Sequence, residues 1–199
     1  MQTIYILAIS HEFQGTNPEG NQALANQTRE FKGYLKNKLL NLPGIIVAEE
    51  WCKESSHESQ GNKSNVESVI EELEKEDKKA EYLKIEMDKT ERESFGVPLP
   101  HEVREKLNLP WKMTLEQQLL YDKEHFKYFS IREAYWLGKL KRYLETGKSI
   151  FLIVGGNHTS IGNTHIENAK GFDQRLSGLG YKVEILNDND YFRNLFQVT

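Results

Sequence analysis

The sequence has 199 residues, of which 38% are hydrophobic and 28% are charged, and this balance excludes a largely disordered chain. We therefore expect a single α/β domain over residues 1–199. The net charge is −4, with 26 basic against 30 acidic residues, so we expect no large nucleic acid as a partner. Cys52 is the only cysteine, which excludes an intrachain disulfide and a cysteine-rich metal site. The apolar runs at residues 4–9 and 150–154 are far too short to span a membrane, and we expect a soluble cytoplasmic protein.

The first half of the chain places an amphipathic stretch between two apolar runs. Residues 4–9 are almost all apolar and of β-forming types, which predicts a strand buried on both faces. Apolar residues then recur every three or four positions as far as Pro43-Gly44, which predicts a helix. Residues 45–48 form the second apolar run, so this order predicts two parallel strands joined by a helix. The helical stripe consists of Leu24, Thr28, Phe31, Leu35 and Leu39.

The second half continues the alternation of helices and strands. Residues 66–73 predict a helix, and residues 82–85 predict the third strand. Thr114-x-x-Gln117 and Ser130-x-x-Glu133 resemble capping boxes, so we expect a long helical stretch that breaks near Ser130. Further elements are expected at 102–107 (short helix), 150–154 (strand), 164–176 (helix) and 183–186 (strand). The predicted fold class is α/β: a three-layer domain with a mostly parallel central sheet of about five strands.

Several chemically capable residues directly follow the predicted strands. They are His11, then Glu49 and Glu50, then Arg92 within residues 88–92, and finally His158. Ligands of parallel α/β sheets bind beyond the carboxyl ends of the strands, where these residues would meet. Each has an ordinary alternative, such as a hydrogen-bonded loop histidine or a solvated acid. Their joint occurrence at one edge favours a functional site.

The glycine pair after the fourth strand adds a weaker signal. Gly155-Gly156 lets the backbone turn sharply and lets a ligand approach closely, although a tight turn without a ligand would need the same residues. The surrounding sequence lacks the Gly-Lys-Ser/Thr of a phosphate-binding loop, the dinucleotide fingerprint and the Gly-x-Ser-x-Gly of serine hydrolases.

The order of these motifs resembles that of a known superfamily. Ala8-Ile9-Ser10-His11 ends the first strand, Glu49-Glu50 the second, and Gly155-Gly156-Asn157-His158 the fourth, with Arg92 and Arg132 between them. This arrangement is similar to the Gly-x-x-His, Glu, Arg, Gly-x-x-His pattern of the TraB/PrgY, Tiki, ChaN and erythromycin esterase superfamily, with Ala8 in place of the first glycine. The resemblance implies a hydrolase-like scaffold. It implies metal-dependent peptidase chemistry as in the Tiki branch, histidine-dependent ester hydrolysis as in the esterase branch, or ligand binding as in the haem-binding ChaN branch.

Two versions of the chemistry are open at this stage. His11, His158 and either Glu49 or Glu50 make a two-histidine, one-carboxylate set that suits a divalent metal, namely Zn, Mn or Fe, with the other glutamate as general base. Without a metal, His11 or His158 would be the base, held by a glutamate. The remaining assignments are Arg92 and Arg132 as a clamp for an anion or oxyanion, unless they form ordinary salt bridges, and Ser10, Gly155, Gly156 and Asn157 as substrate-binding residues.

The expected function is therefore hydrolysis of an ester, a peptide or a related small substrate. The alternative is a non-catalytic protein that binds a small ligand or regulates a partner on the same scaffold. A nuclease or phosphatase that uses the two arginines for phosphate is a third hypothesis. In each case the expected partner is a small molecule or a peptide, and no membrane partner is expected.

Overall fold

The central feature is a parallel sheet of five strands in the order β3-β2-β4-β1-β5. The computed structural model describes residues 2–9, 22–42, 44–51, 63–78, 80–160 and 170–186. The strands are β1 (Thr3–Ile9), β2 (Ile46–Glu49), β3 (Glu81–Lys84), β4 (Ile150–Gly155) and β5 (Lys182–Ile185). The helices are α1 (Gln22–Leu40), α2 (Asn65–Lys75), α3 (Lys89–Phe95), α4 (Pro100–Lys106), α5 (Leu115–Phe126), α6 (Phe129–Leu144) and α7 (Phe172–Gly178). The prediction of a three-layer α/β fold is confirmed.

Helices cover both faces of the sheet. Side chains alternate along a strand, so Ile4 and Ile6 of β1 pack towards α6 and α7, whereas Leu7 and Ile9 pack towards α1 and α2. Strand β4 lies between β1 and β2, and its Ile150 pairs with residues of both neighbours. Burial on both faces explains why β1, β2 and β4 read as nearly continuous apolar runs, whereas the edge strands β3 and β5 are partly exposed and contain charged residues.

The connection from β3 to β4 contains four helices, of which α3 was not predicted and α4 begins two residues before the predicted start at 102. Thr114 caps α5 as expected, with its side chain accepting from the backbone N–H of Gln117. The predicted cap at Ser130 is wrong, because α6 already begins at Phe129 and has no side-chain cap. Glu133 is therefore free of a capping role and is buried in the fold. Among the described helices, none combines the length and apolar character that a membrane crossing requires.

The chain is held tightly where it enters α7. The Asp173 carboxylate accepts hydrogen bonds from the backbone N–H (2.7 Å) and the hydroxyl (2.5 Å) of Ser160. Gly171 packs against this clasp so closely that a methyl group there would collide with the Ser160 backbone and the Asp173 carboxylate. Helix α7 consequently begins at Phe172, so the predicted helix was wrong at 170–171, and residues 161–169 lie outside the described ranges.

Candidate functional site

A cluster of charged and polar side chains is buried at the carboxyl end of the sheet, on the side that α6 covers. We call it the buried ionic cluster. Each member is at most 5% exposed, although charged side chains are rarely buried unless they are paired. Its members are Glu50, Glu86, Arg92, Arg132, Glu133 and His158.

Arg132 is the fourth residue of α6. It lies at the centre of the cluster because this part of α6 faces the ends of β2 and β3. Its Nη2 donates to Oε1 of Glu50 and to Oε2 of Glu86, and its Nε lies 3.2 and 3.3 Å from the Glu86 oxygens. Burial lowers the pKa of Arg132, but the Glu86 and Glu50 carboxylates raise it by more. The guanidinium therefore stays charged and holds two carboxylates from two different strand ends.

Glu86 joins the two predicted arginines. It follows β3, and its Oε1 accepts from Nη2 of Arg92 at 3.0 Å and from the backbone N–H of Met87 at 2.9 Å. Arg92 is presented by α3, whose start is fixed by a reciprocal capping box between Asp88 and Glu91. The structure thus brings Arg92 and Arg132 together on one carboxylate, which is the ordinary salt-bridge alternative for both.

His158 is held at both ring nitrogens. It ends a 3₁₀ turn (Gly156–His158) that directly follows β4, and it is 1% exposed. Its Nδ1 lies 3.1 Å from Oε1 of Glu133, and its Nε2 lies 3.2 Å from Nη1 of Arg132 and 3.4 Å from Oε1 of Glu50. The ring of Phe129 stacks on the imidazole at 4.0 Å between centroids, so the orientation of the imidazole is fixed.

The surroundings of His158 favour its charged form. Burial lowers the pKa of His158, but the Glu50 and Glu133 carboxylates together raise it by more, so the net pKa is raised. The other histidine nearby, His125, behaves in the opposite way, because burial and the charge of Arg132 lower its pKa to about 3. A neutral imidazole packed between the rings of Tyr121 and Phe129 gives His125 a structural role.

The glycine loop contributes directly to the cluster. The backbone N–H of Gly155 donates to Oε2 of Glu50 at 2.7 Å and so fixes the second oxygen of that carboxylate. Gly156 is partly exposed and Asn157 is exposed, which places them at the surface above His158. The predicted residues Ser10 and His11 lie outside the described residues.

The structure does not bring Glu49 to the cluster. Consecutive residues of a strand point to opposite faces, and Glu49 lies on the α2 side while Glu50 lies on the α6 side. Its Oε2 accepts from the hydroxyls of Ser64 (2.6 Å) and Tyr82 (2.5 Å). Burial raises the pKa of Glu49 to about 7, although both hydroxyl contacts oppose this. Glu49 thus has a separate environment from His158.

The described residues of the cluster do not fit a metal ion. No group of three His, Cys, Asp or Glu side chains in the described ranges is arranged to hold one. Arg132 occupies the space between Glu50 and Glu86, where a cation would otherwise balance their charge. The metal site built on His11, His158 and Glu49 stays a prediction that depends on His11, outside the described part.

Two residues of the cluster were missed in the sequence. Glu86 directly follows the predicted strand at 82–85 and lies two residues before the segment 88–92 in which Arg92 was singled out, so its position after a strand was an available signal. Glu133 was assigned to a capping box that does not form. The one signal for its role in the site was that it directly follows Arg132 in the sequence.

Comparison of the chain with protein families, with curated proteins and with solved structures gives no match in any of the three.

Proposed function

We propose that the protein is a hydrolase that acts on an ester, a peptide or a related small substrate, with His158 as its acid–base residue. The observation that carries the proposal is the line of side chains Glu133, His158 and Glu50, in which one carboxylate faces each ring nitrogen. A histidine oriented by a carboxylate at Nδ1 has the arrangement that general-base catalysis requires.

In this proposal Glu133 fixes the tautomer of His158. Once His158 has lost its proton, the neutral imidazole donates from Nδ1 to Glu133 and leaves Nε2, which faces Arg132 at 3.2 Å, as the acceptor. Nε2 takes a proton from the attacking water, and the Glu133 carboxylate stabilises the resulting imidazolium. The same proton then passes to the leaving group. Arg132 is a positioning residue, because its donors are directed to Glu50 and Glu86.

The substrate approaches the carboxyl edge of β4 at the exposed turn that carries Asn157. The partly exposed Gly156 allows a close approach of the substrate to the backbone. We propose that the protein acts in the cytoplasm, since a chain with one cysteine loses no disulfide in a reducing compartment.

The test is turnover of a panel of carboxylic esters, peptide amides and phosphate esters by the wild-type protein and by His158→Asn. The proposal expects hydrolysis of at least one class and a loss of about 100-fold or more in kcat for the variant. His101→Asn is the matched control, because His101 is exposed on α4. Full activity of a folded His158→Asn protein would refute the role of His158, and absence of turnover across the panel would refute the hydrolase.

The pH profile provides a second test of the same proposal. A base has to be neutral to accept a proton, so kcat/KM should rise as the pH passes upward through the pKa of His158 and then level off. Because the neighbouring carboxylates raise that pKa, the rise should lie above the ordinary range of histidine. Glu133→Gln should shift the rise to lower pH, because it removes a carboxylate from Nδ1.

A second candidate function is ligand binding without catalysis. It is favoured by the internal pairing of the cluster, in which Glu50 and Glu86 are both bound by Arg132 and little of the cluster is exposed. This candidate predicts saturable binding of a small molecule that protects the protein against thermal unfolding, with no product formed.

A further inference from the structure

Arg175 is a third arginine that touches the ionic cluster, and it differs from the other two in its exposure. It lies on α7, and its side chain is 36% exposed, whereas those of Arg92 and Arg132 are 4% and 6% exposed. Its Nε lies 3.2 Å from Oε2 of Glu133, the carboxylate whose other oxygen faces Nδ1 of His158. Arg175 thus reaches from the surface to the immediate partner of the proposed base.

The terminal nitrogens of Arg175, Nη1 and Nη2, differ from those of Arg132 in the acceptors that the described residues offer them. Within the described ranges, its one side-chain contact is that of Nε with Glu133, so no described side chain accepts from Nη1 or Nη2. The corresponding nitrogens of Arg132 are directed to Glu50, Glu86 and His158 inside the cluster. The Nε contact is an ion pair without an aligned hydrogen bond, and the two terminal nitrogens of the planar guanidinium lie side by side, which is the geometry that binds two oxygens of one anion.

We propose that Arg175 binds an anionic group of the substrate, a carboxylate or a phosphate, through Nη1 and Nη2. This inference rests on the proposed function, and it specifies the substrate class as an anionic ester or amide. Glu133 has two roles in it, since one of its oxygens orients His158 and the other orients the guanidinium. The bond to be hydrolysed and the anionic group of the substrate then bind on two sides of the same carboxylate.

The charges of the cluster support an anion at this position. The carboxylates of Glu50, Glu86 and Glu133 are matched inside the fold by Arg92 and Arg132, with His158 as the third partner when it is protonated. When His158 is protonated, the form that its surroundings favour, the charge of Arg175 is additional to the charges that the cluster needs for neutrality; when His158 is neutral, Arg175 balances the remaining negative charge. Anion binding at Arg175 is therefore favoured while His158 carries its proton, and the charge of a partly buried arginine is less screened by water than that of a fully solvated one.

The experiment titrates inorganic phosphate and acetate separately into the wild-type protein and follows the arginine Nε–H signals by NMR. Arg175→Gln identifies the Arg175 signal, and Arg29 on α1 is the matched surface arginine, exposed and without a side-chain contact in the described ranges. We expect a saturable shift of the Arg175 signal with one of the two anions, while the Arg29 signal changes only with ionic strength. The anion that gives the saturable shift distinguishes a phosphate from a carboxylate ligand.

Variants measure the strength of the contact. Arg175→Lys should weaken binding of the responding anion by about tenfold or more, because an ammonium ion cannot make the paired contact. An Arg175 signal that responds to neither anion, or that responds only as Arg29 does, would overturn the inference. Since this assay needs no turnover, its failure is separate from that of the hydrolase. Loss of turnover in His158→Asn without anion binding would leave the function in place, and anion binding without turnover would favour the ligand-binding candidate.

Discussion

Replacing Glu49 with glutamine should make the protein more stable at neutral pH, although it removes a buried hydrogen-bonded carboxylate. Burial raises the pKa of Glu49 from its ordinary value of 4.5 to about 7. Between these two pH values the unfolded chain ionises at Glu49 while the folded chain keeps its proton, so the folded state loses stability as the pH rises. At about 1.4 kcal/mol for each pH unit, the loss amounts to about 3 kcal/mol by pH 8.

Glutamine has the shape of the protonated acid and can still accept from the hydroxyls of Ser64 and Tyr82. Glu49→Gln should therefore match the wild type within about 1 kcal/mol at pH 4.5 and exceed it by about 3 kcal/mol at pH 8. Urea unfolding at both pH values measures the difference. Glu74→Gln on the exposed side of α2 is the control and should change neither value. The reasoning fails if the free energies of unfolding of wild type and Glu49→Gln depend on pH in the same way.

Three further predictions concern stability. Arg132→Met should cost about 3–5 kcal/mol in urea unfolding, because it removes the cation that two buried carboxylates share and leaves Glu86 with Arg92 alone. Adding Glu86→Gln should recover part of this cost, and equal losses in the single and double variants would contradict the pairing. Gly171→Ala should cost about 2 kcal/mol or more in the same assay, because the methyl group meets the Ser160 backbone. An unchanged unfolding midpoint would show that the Ser160 backbone moves aside at little energetic cost. Trp111→Ala should cost less than about 1 kcal/mol by thermal unfolding, since the ring is 74% exposed and lies on Arg104, and a larger loss would reveal packing that is absent from the described contacts.

The apolar runs of the sequence predict the three inner strands, β1, β2 and β4, well because these strands are buried on both faces. Residues 150–154 and 4–9 coincide closely with β4 and β1, whose side chains are almost all buried. The sequence does not predict the strand order, because the composition of β4 does not specify which strands it pairs with. Its position between β1 and β2 depends on which helices cover which face, and that is a property of the whole chain.

The sequence predicts only part of the candidate site. Glu50 and His158 follow from the rule that strand ends share one edge, whereas Arg132, which lies on a helix, was named only through the resemblance. Glu49 and Glu50 cannot be told apart in the sequence, because both faces of β2 are apolar and the two residues therefore have equal claims to the site. Glu133 was obscured by a local motif that competes with tertiary contacts, since Ser-x-x-Glu fits a helix cap and here the glutamate binds His158 instead.

The insertion of β4 between β1 and β2 has a consequence for how the chain is made. On the ribosome, β1 and β2 emerge early but have no strand between them until residue 150 has been synthesised, because Ile4 and Ile46 both pair with Ile150. Until then the apolar edges of β1 and β2 are unpaired, and only β2 and β3 are able to associate. A nascent chain stalled shortly before β4 should therefore be sensitive to proteases and depend on chaperones, and it should gain resistance abruptly once β4 has left the exit tunnel.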